Sequence, residues 1–203
     1  MHLQFTPGTT RLPPRPAHVI AHWRVTAGNR RRLTTDLVEA LVQATRRQSP
    51  RDAIATLESA WHHCLIDESD IAEIFRRLPL RYRSLRPLLD RRAESGAETL
   101  MRLVLRVLGC DVQVQVAIAG VGRVDLLVDG WLIVECDSRA LHDGWAAHAR
   151  DRRRDLAAAA LGYTTVRPLA EDIFYDQDDL VTTMRRIVQN STDVTGNPQR
   201  KPS

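Results

Sequence analysis

A chain of 203 residues can form one domain or two small ones, each with a core of its own. Its composition, 43% apolar and 27% charged, is that of an ordinary soluble globular protein. No stretch approaches the roughly 20 apolar residues of a membrane span, and the N-terminus lacks the apolar run of a secretory signal. Three cysteines without CxxC spacing indicate reduced thiols, so a cytoplasmic protein with no membrane partner is expected.

Positive charge is concentrated at the front of the chain. Residues 1–35 contain six arginines, among them Arg30, Arg31 and Arg32, and no acid. The remaining residues hold 23 basic side chains against 25 acidic ones, so this arm accounts for the net charge of +4. Such an arm suits the phosphate backbone of a nucleic acid. A solvated, flexible leader has the same composition, and both interpretations stay open.

Patterning predicts short helices in the first half of the chain. Residues 1–16 look irregular, and residues 17–25 alternate loosely enough for one strand. Capping residues are then followed by apolar residues at helical spacing. The four predicted helices begin at Thr34 or Thr35, at Ser49-Pro50, at Asp67 or Ser69, and at about Tyr82. The first region, residues 1–92, is therefore predicted to be an arginine-rich arm followed by helices.

The second half alternates helices and strands. The predicted order is a helix, three antiparallel strands, a helix, a strand and a last helix. These elements span about residues 95–108, 112–118, 124–128, 131–134, 143–161, 163–167 and 180–188. The fold class is therefore α/β, with an α/β domain over residues 93–190 and a disordered tail over residues 191–203.

The most informative stretch is residues 122–142, where Asp129-Gly130 joins two short apolar runs as a predicted hairpin. Four polar residues stand in or after this hairpin, namely Asp125, Glu135, Asp137 and His142. Carboxylates on apolar strands are costly to bury unless they are paired, hydrogen-bonded or bound to a metal. Glu135 and Asp137 share a face, and Asp125 joins them if it lies across the hairpin. A cation would then offset the repulsion among the three acids.

The element order, with an acid on the second strand and another on the third, resembles the core of the restriction-endonuclease-like, PD-(D/E)XK nucleases. More closely, ECDSRALH followed by ARDRRRDLAAAALGY resembles a branch related to the very-short-patch-repair endonucleases. The residues that match this branch are Glu135, Asp137, His142, Asp151, Arg152, Arg154, Asp155 and Gly162. The helical front half is similar to a segment that precedes this nuclease domain in many bacterial proteins, some of them related to abortive-infection antitoxins.

The resemblance implies a restriction-endonuclease-like core and Mg²⁺- or Mn²⁺-dependent cleavage of DNA. Asp125 and Glu135 are the motif acids, and with Asp137 they are the expected metal ligands, because Mg²⁺ prefers hard oxygen atoms. His142 is placed for proton transfer near neutral pH. A simpler explanation of Asp125 is that it forms a surface ion pair with Arg123.

Further residues are assigned to the site with less specific signals. Relatives often carry a glutamate that approaches the metal at the position of Glu98, but Ser95-x-x-Glu98 also matches a capping box, and Arg102 is a helical ion-pair partner. Gln113 and Gln115 either line the site or, more simply, face solvent.

Phosphate contacts are expected from Arg152, Arg123 and the arm arginines. Arg152 is predicted to lie near the packing stripe of its helix, from which it would reach the acidic site or a phosphate. That stripe is predicted to consist of Trp145, Ala149, Leu156 and Ala160. A solvated helix face explains the DRRRD segment as well.

Two departures from the family pattern bear on activity. The position of the motif lysine, two residues after Glu135, is Asp137, and Lys201 is the only lysine in the chain. Ser138 replaces the glycine that usually follows the aspartate. In this branch the lysine is also replaced, and the resemblance implies histidine chemistry instead.

Three functions are consistent with the sequence. The first is a metal-dependent DNA endonuclease in repair or defence. The second is a non-catalytic DNA-binding regulator, such as an antitoxin-like repressor, that retains a nuclease fold. The third is a protein-interaction module whose acids form surface pairs. DNA is the expected partner for the first two, and a homodimer is a candidate assembly.

Overall fold

The structure, a computed structural model, describes residues 2–5, 7–9, 14, 16–23, 35–136 and 145–194. The predicted roles of five residues lie outside the described residues and stay predictions: Asp137, His142, Arg30, Arg31 and Arg32. The described part is an α/β protein with a helical N-terminal region, which confirms the predicted fold class. No helix in these ranges is both long and apolar enough to cross a membrane.

The described residues form fourteen elements. They are β1 (His2–Phe5), β2 (Ile20–Trp23), α1 (Leu37–Thr45), α2 (Pro50–His62), α3 (Glu68–Arg77), a 3₁₀ helix (Leu80–Leu88), α4 (Gly96–Val107), β3 (Val112–Ile118), β4 (Gly122–Val128), β5 (Leu132–Val134), α5 (Trp145–Ala160), β6 (Thr164–Val166), α6 (Ala170–Tyr175) and α7 (Gln177–Val194). Strands β3, β4 and β5 are antiparallel neighbours, and β6 pairs parallel to β5. Strands β1 and β2 form a separate parallel pair.

Side-chain caps set the starts of the N-terminal helices. The Ser49 hydroxyl accepts the Asp52 N–H at 3.3 Å, and Pro50 occupies the first helical position, as predicted. Asp67 begins α3 with a capping box. The predicted cap of α1 was wrong, because Asp36 accepts the N–H of Val38 at 3.1 Å and replaces either threonine in that role.

Four predictions about individual elements were wrong. Residues 2–5 form β1 instead of an irregular segment, because they pair with β2. The fourth predicted helix is a 3₁₀ helix that contains Pro87. Residues 170–175, predicted as a loop, form α6, which buries Ile173. Residues 191–194 belong to α7 and not to a tail.

The predicted hairpin is confirmed. Asp129 and Gly130 have φ angles of +49° and +71°, and the Trp131 N–H donates to the Val128 carbonyl at 3.1 Å. Positive φ at both central residues defines a type I′ turn, whose twist matches that of the strands it joins. The Asp129 carboxylate also accepts the Asp111 N–H at 2.8 Å, which ties the turn to the start of β3.

The sheet is packed on both faces. One face contacts α4, α6 and α7 through a core that includes Leu126, Val128 and Leu132. The other contacts α5 through Val124, Ile133 and their neighbours. The N-terminal helices have a separate core, and they join the α/β part through α2, which packs against α4. Burial on both faces explains why β5 and the end of β4 are short apolar runs, whereas β3 alternates.

Candidate active site

The site is centred on a break in the ladder between β3 and β4. The pairs on either side of the break are Val114 with Leu126 and Val116 with Val124. Gln115 and Asp125, which lie between these pairs, are not paired in the ladder. Gln115 has a φ angle of +54°, a conformation that side-chain-bearing residues seldom adopt. Val114 and Leu126 pack on the α4 side of the sheet, whereas Val116 and Val124 pack on the α5 side. Such local strain is typical of functional sites.

Asp125 and Glu98 are joined by the Gln115 side chain. The Gln115 amide donates to Glu98 Oε2 at 2.9 Å and makes a longer contact of 3.5 Å with Asp125 Oδ1. The other oxygen of Asp125 accepts the Cys136 N–H at 2.9 Å. Gln115 is therefore part of the site, and the interpretation that it faces solvent was wrong, although Gln113 is exposed.

Glu98 is brought to the site by the first turn of α4. The Ser95 hydroxyl caps the Glu98 N–H at 3.2 Å, but the Glu98 carboxylate accepts the N–H of Glu94 at 2.9 Å in place of the Ser95 backbone N–H. Only half of the predicted capping box is formed. Arg102 does not pair with Glu98, because its guanidinium is hydrogen-bonded to Glu58. Neither a complete capping box nor a pair with Arg102 therefore accounts for the Glu98 carboxylate, which is directed towards the site and accepts from Gln115.

Glu135 continues β5 towards the same place. Its N–H donates to the Val166 carbonyl of β6 at 3.1 Å. Pairing between β4 and β5 ends at Leu126 with Val134, so the next residues along the two strands are Asp125 and Glu135. The two motif acids therefore lie at the same end of the hairpin, as the sequence predicted.

Arg154 of α5 holds the Glu135 carboxylate at 2.9 Å. The same guanidinium donates to the Val121 carbonyl at 3.2 Å and to the Arg123 carbonyl at 2.6 Å, so it is fixed at the start of β4. Sequence reasoning matched Arg154 to the family pattern but assigned the contact to Arg152. Arg154 stands four residues before Ala158, which the structure shows to be buried against the sheet, so the two share a face of α5 that the sequence pattern did not reveal.

The predicted packing stripe of α5 was wrong at its two C-terminal members, Leu156 and Ala160. Leu156 is 71% exposed, and Ala160 and Arg152 are exposed as well. Ala158 faces the sheet instead, because the α5 side of β4 and β5 receives that stripe of the helix. Arg152 therefore points away from the acids, and its contact with a nucleic acid stays a prediction.

Arg123 also departs from its predicted setting. It forms an ion pair with Glu94 at 2.8 Å, and its side chain is largely exposed. It makes no ion pair with Asp125 among the described residues. The simpler explanation of Asp125 as half of a surface pair with Arg123 was therefore wrong, and its carboxylate instead contacts Gln115 and the Cys136 N–H within the site.

Burial raises the pKa of all three acids, and repulsion from a neighbouring carboxylate adds to each shift. Burial raises the pKa of Glu135, and the neighbouring Asp125 raises it further. Burial likewise raises the pKa of Glu98 and of Asp125, and Asp125 adds to the shift of Glu98. The Cys136 thiol has its pKa raised by burial and then by these same carboxylates, which excludes it as a thiolate nucleophile at neutral pH.

The described acids do not by themselves form a ready metal site. Within residues 35–136 and 145–194, no three His, Cys, Asp or Glu side chains are arranged as a ligand set. The Gln115 Oε1 atom is buried and accepts no hydrogen bond from any described residue. An unused amide oxygen beside two carboxylates is the type of donor that Mg²⁺ binds, so the residues present fit such an ion.

Replacing Glu98 with glutamine is expected to raise the free energy of unfolding of the metal-free protein by about 1 kcal/mol near neutral pH. Glutamine keeps an acceptor for the Glu94 N–H but no longer repels Asp125. Because the pKa of Glu98 is raised on folding, the folded protein holds that proton more tightly, and wild-type stability falls as pH rises above the ordinary glutamate pKa. Thermal unfolding in EDTA at about pH 4.5 and about pH 7.5 measures this difference.

The gain should shrink at the lower pH, where the glutamate is increasingly protonated in both states. The exposed Glu68→Gln variant is the control, and it should change stability by less than about 0.5 kcal/mol. An equal gain for Glu98→Gln at both pH values would contradict the electrostatic explanation.

Comparisons with known proteins show similarity to two proteins of Mycobacterium tuberculosis. No protein-family model and no solved structure matches the chain. Over 169 residues the chain is 32% identical to the uncharacterized proteins Rv2248 of strain H37Rv and MT2308 of strain CDC 1551. The match covers 76% of this chain and 62% of each relative, so the chain spans less than two thirds of their length.

Proposed function

We propose that the protein is a metal-dependent endonuclease that hydrolyses DNA phosphodiester bonds, with a restriction-endonuclease-like core. One observation carries the proposal, namely that two buried acids, Glu98 and Glu135, and the half-buried Asp125 come together from three elements at the break in the sheet. Glu98 comes from α4, Asp125 from β4 and Glu135 from the end of β5. Holding these charges together costs stability, and a divalent cation would offset that cost.

In the proposed reaction, metal binding and proton transfer are assigned to different residues. Asp125 and Glu135 would hold a Mg²⁺ or Mn²⁺ ion together with Glu98, the Gln115 amide oxygen and Asp137. When bound, such an ion activates water and neutralises charge on the scissile phosphate. His142 would transfer a proton to or from the reacting oxygen atoms.

Arg154 supplies a cation where the family pattern would have a lysine. Its guanidinium contacts Glu135 and is fixed by two backbone carbonyls, so it does not depend on substrate for its position. A fixed guanidinium beside the acids can also donate to a phosphate oxygen, since it carries five N–H groups in a planar fork.

A non-catalytic DNA-binding regulator is the second candidate function. The ion pair between Arg154 and Glu135 favours it, because it neutralises one of the acids without a metal. In that case the acids and the arginine stabilise the ends of β4 and β5, and the arginines elsewhere on the chain bind DNA.

Cleavage of supercoiled plasmid separates the two functions. The endonuclease is expected to nick or linearise plasmid in Mg²⁺ or Mn²⁺ and to lose this activity in EDTA. A Glu135→Gln variant, purified in parallel, shows whether a contaminating nuclease contributes. Metal-independent cleavage, or equal cleavage by the variant, would contradict the endonuclease. Salt-sensitive binding in a gel shift, without cleavage, would support the regulator.

A further inference from the structure

The 3₁₀ helix exposes arginines beside a buried apolar face. With three residues per turn, Tyr82, Leu85 and Leu88 fall on one face, and all three pack against the N-terminal core. The other two faces carry Arg81 and Arg83, both exposed. The period of the helix therefore directs these arginines to the surface.

Tyr82 brings the C-terminus of α1 next to this helix. The Tyr82 hydroxyl donates to the Arg46 carbonyl at 3.3 Å, although the two residues are 36 positions apart. The Arg81 guanidinium donates to the same hydroxyl at 3.3 Å and lies 4.8 Å from the centre of the Tyr82 ring. Arg46 and the exposed Arg47 are thereby placed beside Arg81. We refer to Arg46, Arg47, Arg81 and Arg83 as the arginine patch.

The charge of the arginine patch is not compensated by neighbouring acids. None of its four guanidinium groups forms an ion pair within the described residues. Four acids of the N-terminal region already have arginine partners: Glu39 with Arg77, Glu73 with Arg76 and Arg77, Glu68 with Arg86, and Asp90 with Arg92. Among the described residues no acid pairs with these four positive charges, which are therefore available to a partner molecule.

We propose that the arginine patch binds the phosphate backbone of duplex DNA and so makes the helical N-terminal region a substrate-holding surface; this rests on the proposed function. One guanidinium group can donate two parallel hydrogen bonds to the oxygen atoms of a phosphate. The Tyr82 ring orients the Arg81 guanidinium before any such contact is made. Contacts of this kind position a duplex without reading its sequence. The patch extends the DNA-contacting surface beyond the arm and α5.

Binding of the full-length protein to a duplex of about 30 base pairs tests the proposal by fluorescence anisotropy over a range of salt concentrations. EDTA is present, so that cleavage does not interfere. The R81Q/R83Q variant is expected to weaken binding by on the order of tenfold or more at about 0.1 M salt and to reduce the salt slope by about two. The matched control R185Q/R186Q removes the same charge from exposed residues of α7 and should leave the slope within about one of wild type.

Equal weakening by the two double variants would overturn the proposal, since net charge alone would then explain the effect. Unchanged binding by R81Q/R83Q would also overturn it. The proposal would also be overturned if R81Q/R83Q lost binding to vesicles that contain phosphatidylserine but kept its binding to DNA, because the surface would then be a membrane contact. Loss of DNA binding by the patch variant, in a protein that cuts no plasmid, would support the patch and contradict only the nuclease.

Discussion

Replacing Asp125 with asparagine is expected to reduce plasmid cleavage about 1000-fold or more while leaving the protein folded. The loss corresponds to about 4 kcal/mol of transition-state stabilisation, within the range that a misplaced catalytic metal costs. Folding is retained because asparagine still accepts the Cys136 N–H through its oxygen atom. Since burial raises the pKa of Asp125, removal of its charge should also raise the melting temperature of the metal-free protein at neutral pH.

Initial rates of plasmid nicking and thermal unfolding, measured on the same preparation, test both parts of this expectation. Asp178→Asn makes the same chemical change on an exposed residue of α7 and should keep wild-type activity. A melting temperature that falls together with activity would mean that Asp125 is structural. Undiminished cleavage in a fully folded Asp125→Asn protein would remove Asp125 from the proposed mechanism.

Replacing Arg102 with methionine is expected to lower the free energy of unfolding by about 3–5 kcal/mol. Arg102 and Glu58 are fully buried between α4 and α2, and their side chains form an ion pair. The substitution leaves the Glu58 carboxylate buried with only the Thr99 hydroxyl at 2.5 Å and the Asp90 N–H at 2.7 Å as donors. Burial already raises the pKa of Glu58, and Arg102 is the main opposing influence.

Urea unfolding at two pH values measures this effect. Without Arg102 the pKa of Glu58 rises further, so the variant should lose more stability at about pH 8 than at about pH 5. Arg86→Met breaks an exposed pair with Glu68 and should cost less than about 1 kcal/mol. A loss for Arg102→Met as small as this control would contradict the importance of the buried pair for joining the two parts of the protein.

The Glu58–Arg102 pair also shows where the sequence was uninformative. Arg102 stands four residues after Glu98, and helical spacing predicts an ordinary pair between them. The partner that the structure provides lies 44 positions earlier in the chain. Spacing within a helix cannot reveal such a contact, because it depends on how α2 packs against α4.

Local signals determined most of the secondary structure. Ser49, Asp67 and Ser95 cap their helices, Asp129-Gly130 forms the turn, and strand β3 has the bounds that its alternation predicted. Each of these depends on hydrogen bonds or side-chain periods within a few residues, so the sequence alone is sufficient. The meeting of Asp125 and Glu135 follows in the same way, because the turn fixes the register of the two strands.

Only the tertiary structure decided which side chains complete the site. The rotation of α5 about its axis places Arg154, and not Arg152, beside Glu135, and that rotation depends on packing against the sheet. The positive φ of Gln115 turns an apparently solvent-facing amide towards Glu98. Strand β1 forms only because a partner 18 residues away pairs with it. In each case the deciding contact joins residues far apart in the chain, and no short-range pattern carries that information.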